Sequence, residues 1–177
     1  MSNLIRRRPV VYYDPLTMSE TSQRFLLKAL HEAANQIASQ FYRLTPDELD
    51  RREREDGWSL RQLYCHLRDA EEDFTDQIQR ILNSPRDARL RAVDVDLYVM
   101  ERDYDGADIE PVLAEFERLR GRNCWTLGDL WGDDWDRAGT HPYRGRITLS
   151  DIAHQMNEHD LEHIWQINRI LDTAAVP

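Results

Sequence analysis

Cysteine is nearly absent from this chain: two of its 177 residues, Cys65 and Cys124, cannot make a disulfide framework. A reduced, cytoplasmic setting is therefore expected. Glycine and proline are sparse, seven each, which argues against a fold of many short strands joined by tight turns. No apolar run approaches membrane-spanning length, and the opening MSNLIRRRPVVYY lacks the apolar core of a signal peptide. Basic charge is also in deficit, with 23 Lys and Arg against 33 Asp and Glu, a formal charge of -10 and a pI near 5.0. The one basic cluster, Arg6 to Arg8, is too short to reverse that balance, so nucleic acid and anionic membrane surfaces are not expected partners. Small molecules are.

What the chain does have is 41% hydrophobic residues, enough for a core, and no break in composition that would mark a second domain, so residues 1–177 are read as one domain. Its apolar residues recur at steps of three and four, which predicts an all-α fold of four helices, at about 19–43, 59–83, 109–131 and 149–172. The first follows a Thr17-x-x-Glu20 capping box and aligns Leu26, Leu30, Ala34, Ile37 and Phe41. The second opens at Ser59, with Gln62 placed to reach back, and carries Leu63, Leu67, Ala70, Phe74, Ile78 and Ile81. The third starts after Asp108, accepts Pro111 in its first turn, and is expected to bury Val112, Leu113, Phe116, Leu119, Cys124, Leu127 and Leu130, with Gly132 as its stop. The fourth carries Ile152, Met156, His159, His163, Ile167 and Ile170 on one face.

Roughly two dozen residues separate the second and third helices, long for a tight hairpin, so the chain is expected to cross the length of the bundle there and give an up-down-down-up order. The segment GDDWDRAGTHPYRGR before the last helix is polar, aromatic and glycine-punctuated, as either a pocket rim or an ordinary connector would be.

Three histidines carry the chemical signal. His159 and His163 in HDLEH are four apart, so they share a helix face, and His66 lies within about 60 degrees of Leu63 and Ala70 on the second helix. A lone inward histidine is ordinarily a neutral, hydrogen-bonded core residue. Three together, without an inward stripe of carboxylates, are equally well explained by a divalent cation that takes all three lone pairs. On the residues alone the two readings stand level. His159-Asp160-Leu161-Glu162-His163 also spells the H-x-x-E-H pattern of inverted metallopeptidases, but only 14 residues follow His163, too few for their further ligand. ERDYDG, residues 101–106, imitates a calcium loop but places Val112 where a bidentate glutamate belongs.

The other candidates read as structural. His154 lies about 140 degrees or more around the helix from His159 and His163, and His31 and His141 lack supporting partners. Cys65 points about 100 degrees from His66 and reads as a packed residue. The five tryptophans, Trp58, Trp125, Trp131, Trp135 and Trp165, sit at helix ends or faces, where burying the ring is the ordinary role and lining a pocket the lesser one. Asp69, Glu158 and Glu162 could hold imidazole N–H groups or remain solvated.

Trp58-Ser59, His66-Leu67-x-Asp69-x-Glu71, ERDYDGADIEPVLAEFERLRGRN and the HDLEHIWQI segment resemble, in order and spacing, the DinB/YfiT-like superfamily of metal-binding four-helix bundles. The resemblance covers about residues 19–172. It implies a divalent ion, zinc or nickel, held by His66, His159 and His163, with coordination positions left open. Among the family's activities, transfer to a low-molecular-weight thiol such as bacillithiol or mycothiol suits such a site, because a borderline-soft ion binds thiolate readily. Metal-dependent hydrolysis with Glu162 as general base, or a noncatalytic bundle that binds metal or a partner, is the alternative. Arg120, Arg144 and Arg146 are candidates to meet an anionic thiol. A homodimer is compatible with the sequence.

Overall fold

The computed structural model describes residues 20–84, 86–94 and 97–173. Helices α1 (Glu20–Phe41), α2 (Leu60–Asn83), α4 (Ile109–Gly128) and α5 (Leu149–Thr173) form the bundle, and α3 (Tyr98–Glu101) is a single turn inside the crossover between α2 and α4. The Thr17 to Glu20 capping box falls outside the described residues.

Their directions follow from which residues meet. Arg61 reaches the Ala107 carbonyl, Glu71 binds Arg120 and Thr75 binds Asn123, so α2 and α4 advance together. Arg120 also donates to the Leu30 carbonyl and to Asp160, while Gln40 donates to Asn168, so α1 and α5 run parallel as well. His66 touches His159 whereas Phe74, further along α2, also packs on His159, and His66 packs on His163. That reversal makes α2 and α5 antiparallel. The order is up-down-down-up, as the long crossover requires.

Helices α2, α4 and α5 begin where side chains provide a cap. The Ser59 hydroxyl accepts from the Gln62 amide at 3.2 Å while the Gln62 side chain accepts from the Ser59 amide at 2.9 Å. Asp108 caps α4, with Pro111 tolerated in the first turn where its missing N–H has no helical partner to lose. Thr148 and Asp151 cap α5 reciprocally, the Thr148 hydroxyl taking the Asp151 amide at 3.0 Å and the Asp151 carboxylate taking the Thr148 amide at 2.9 Å. Helix α4 stops at Gly128, four residues before the expected Gly132, because residues 132–136 tighten into a 3-10 turn. Leu130, beyond the helix end, and Cys124, within it, are only partly buried, packed against the edge of the core they were expected to enter.

The core is divided. One apolar cluster includes Ile37, Leu63, Leu67, Leu113, Phe116 and Ile167; the other includes Leu30, Phe74, Ile78, Leu127, Ile152 and Met156. Five polar side chains, Glu71, Thr75, Arg120, Asn123 and Asp160, are buried within the bundle alongside them.

A small sheet was not anticipated. Strands β1 (Ala88–Arg89), β2 (Ala138–His141) and β3 (Gly145–Thr148) pair in that order, β1 parallel to β2 and β2 antiparallel to β3. Gly139 lets β1 approach, since a Cβ there would lie 2.8 Å from the Ala88 carbonyl oxygen, and Gly145 turns the hairpin at φ +73. The connector before α5 is thus a folded hairpin whose Ile147 packs on the second cluster with Ile81 and Trp135.

Candidate metal centre

His66 comes from the second turn of α2 and His159 and His163 from adjacent turns of α5. The loop before α2 is drawn back over that helix: the Leu60 and Arg61 amides donate to the Arg51 and Leu49 carbonyls, and Arg52 donates to the Gly57 carbonyl at 2.7 Å and to the Gln62 side chain at 3.0 Å. Trp58 is thereby set edge-on to the His66 ring, centroids 4.8 Å apart. Phe74 closes the inner side against His159 at 5.8 Å.

The three histidines converge. His159 Nε2 lies 3.0 Å from His66 Nε2 and 3.2 Å from His163 Nε2, close to the roughly 3.4 Å between nitrogens that share one tetrahedral ion at about 2.0–2.1 Å. They face a cavity of about 510 Å³ lined by Gly57, Trp58, His66, His159, Glu162, His163 and Gln166. Burial, with His163 close by, lowers the His66 pKa from 6.5 to about 4. Burial, with His163, His66 and the Arg120 guanidinium nearby, lowers that of His159 to about 2. Both rings are neutral at pH 7, which is the form whose lone pair binds a cation.

Gln166, which the sequence pattern did not bring forward, holds His163: its Oε1 lies 3.0 Å from Nδ1. An N–H at Nδ1 donating to that oxygen leaves the Nε2 lone pair directed at the other two rings. The signal was present as a residue three places along the same helix, but glutamine attracts less notice than the carboxylates expected in this role. Asp69 does not serve it: its carboxylate is fully buried and taken by Arg68, Arg102 and the Tyr104 hydroxyl. Glu158 is exposed. Glu162 lines the cavity beside the histidines.

Several other expectations are corrected. Arg120 cannot meet an external anion, because it is 2% exposed and its guanidinium is consumed by Glu71 and Asp160. Arg146 donates to the Asp136 carbonyl and lines a different cavity with Ile81 and Arg137, and Arg144, though exposed, does not line the histidine cavity. Of the tryptophans only Trp135 is fully buried; Trp125, Trp131 and Trp165 are 75%, 70% and 59% exposed, and Trp58 lines the histidine cavity. His154 and His31 are exposed, as expected of residues outside the centre. Burial raises the thiols of Cys65 and Cys124 to about 11, so neither supplies a thiolate near neutral pH.

The sequence profile of the DinB superfamily matches residues 29–167. The chain belongs to the DinB superfamily. Among solved structures, the DinB bundle seen here is similar to YfiT from Bacillus subtilis, described as a probable metal-dependent hydrolase with an unusual four-helix bundle topology, with a TM-score of 0.82 at 23% identity over 94% of this chain and 95% of that one. It is also similar to TT2238, a four-helix bundle protein, with a TM-score of 0.59 at 16% identity over 82% of this chain and 98% of that one. At these identities the likeness speaks for the fold. No curated protein sequence matches the chain.

Proposed function

We propose that this DinB protein is a divalent-metal-dependent hydrolase acting on a small molecule, with His66, His159 and His163 as the metal ligands and Glu162 as the general base. The observation that carries the reading is Glu162 on the wall of the same cavity as three convergent imidazoles. The donor set suits zinc or nickel, since three imidazole nitrogens and no thiolate select borderline ions and leave further positions open. An ion held there supplies Lewis acidity toward a carbonyl oxygen and acidifies water.

The side chains do the rest. Glu162 accepts the proton of the attacking water at its carboxylate and returns it to the leaving group, while Gln166 keeps His163 in the ligating tautomer. Trp58 and Phe74 flank the histidines and limit water on the protein side, which strengthens every interaction at the cavity floor. The description of YfiT is in line with this reading.

Thiol transfer loses the support it had from Arg120, but an open cavity of about 510 Å³ has room for a thiol co-substrate, and the same experiment separates the two. Zinc- or nickel-loaded protein is assayed against a panel of activated esters and amides, with and without bacillithiol or mycothiol. The proposal expects turnover without thiol, and a loss of about 10²–10⁴-fold in kcat for Glu162→Gln at unchanged metal content. Turnover only in the presence of thiol makes the protein a transferase, and no turnover despite bound metal makes it a binding module.

A further inference from the structure

One guanidinium touches all four helices of the bundle. Arg120 on α4 donates to both Glu71 oxygens on α2 at 3.0 and 2.7 Å, to both Asp160 oxygens on α5 at 2.6 and 2.9 Å, and to the Leu30 carbonyl on α1 at 3.0 Å. Asn123 extends the group, donating to Glu71 at 2.8 Å and to Thr75 at 2.8 Å. Arg120, Glu71, Asn123 and Asp160 are 2%, 1%, 0% and 0% exposed. None of them lines the histidine cavity.

We infer that Arg120 is a positioning residue for the metal centre: its paired bonds to Glu71 and Asp160 set the register of α5 against α2 that brings His159 and His163 onto His66. The reasoning is geometric. Leucine and isoleucine layers hold helices together but tolerate sliding and repacking, whereas two bidentate carboxylates on a planar fork accept only one arrangement. Asp160 directly follows His159, and Glu71 lies five residues after His66, so the fork clamps α2 and α5 beside their ligating turns. A slip of one residue moves α5 by about 1.5 Å along its axis and turns it by about 100 degrees, either of which takes both imidazoles off His66. Buried ion pairs are weak contributors to stability when compared with apolar replacements, so a cluster of this kind points to a role in specifying geometry, as polar core residues do where they fix helix register.

The inference rests on the reading of the three histidines as ligands, and its test keeps the two apart. Glu71→Leu/Arg120→Met/Asp160→Leu replaces the three charged side chains by apolar groups of similar size, which leaves no orphaned charge and keeps Asn123 paired with Thr75. Zinc affinity is measured by competition with a chromophoric chelator, and site symmetry by the visible spectrum of the cobalt-loaded protein, with circular dichroism reporting the fold. The triple variant is expected to stay helical and bind zinc about 10–100-fold more weakly, with an altered cobalt spectrum. A folded triple variant with the affinity and spectrum of the parent overturns the inference. Should the triple variant not fold, Arg120→Lys decides by the same readouts: it keeps the charge but loses the fork, and parental zinc affinity in it would likewise overturn the inference. If the parent protein binds no zinc, or His163→Ala binds it as tightly as the parent, the ligand assignment fails instead.

Discussion

His154 and His163 stand on the same helix nine residues apart, a half-turn in phase, and their surroundings differ accordingly: the first is exposed and the second is 9% exposed against Gln166 and His159. His163→Ala is therefore expected to remove most bound zinc and His154→Ala to retain it, with circular dichroism confirming that both fold; equal loss in the two would sink the assignment by phase. The depressed pKa values of His66 and His159 make a second prediction, for the metal-free protein. Both rings stay neutral when folded but take up a proton near 6.5 once unfolded, so between about 6.5 and 4 the unfolded chain binds more protons and stability falls as pH falls. Each histidine contributes a slope on the order of 1.4 kcal/mol per pH unit in that window. Denaturant midpoints measured from pH 7 to 4 should decline in metal-free protein, and a flat profile would show that the rings are not held neutral. At this scale the sequence was most informative where helical phase is decisive. Helical phase turned His66, His159 and His163 inward and the family resemblance joined them as one ligand set, whereas Gln166, and the diversion of Asp69 to Arg102 and Tyr104, depend on contacts between segments that no local pattern records.

Among the elements, α2 holds the centre in place through its first turn. The Ser59–Gln62 box, with Arg52 bridging Gln62 to Gly57, determines where Trp58 sits over His66. Ser59→Ala removes one reciprocal bond and is expected to cost about 1 kcal/mol, read as a shift of the denaturant midpoint with unchanged slope. Unchanged stability would mean that the cap is replaced by water. The starts of α2 and α4 were legible because caps are short-range chemistry written in neighbouring residues. The three strands were not: β1 has two residues, β2 and β3 four each, too few for alternation to register, and β1 pairs with a segment some fifty positions away, Ala88 opposite Gly139. The end of α4 was misplaced because Gly132, with φ +50, punctuates the 3-10 turn after the helix instead of the helix itself.

For the whole molecule, the up-down-down-up order puts α2 and α5 antiparallel with one ligand on the first and two on the second, and leaves α4 to supply the buried arginine between them. No helix among the described residues is long and apolar enough to cross a membrane. The crossover length made the order of helices readable in advance, since only a long connection can return the chain to start a parallel neighbour. The buried Glu71–Arg120–Asp160 group was not readable, because a charged residue on an amphipathic helix is ordinarily solvated and only the meeting of three helices reveals otherwise. The central claim is that one divalent ion is shared by His66, His159 and His163. Crystals of zinc-loaded protein, with an anomalous difference map recorded at the zinc edge, test it most directly. The account predicts a single peak about 2.0–2.2 Å from the Nε2 atoms of all three histidines. A peak elsewhere, or an empty histidine cluster in protein shown to contain zinc, would contradict it.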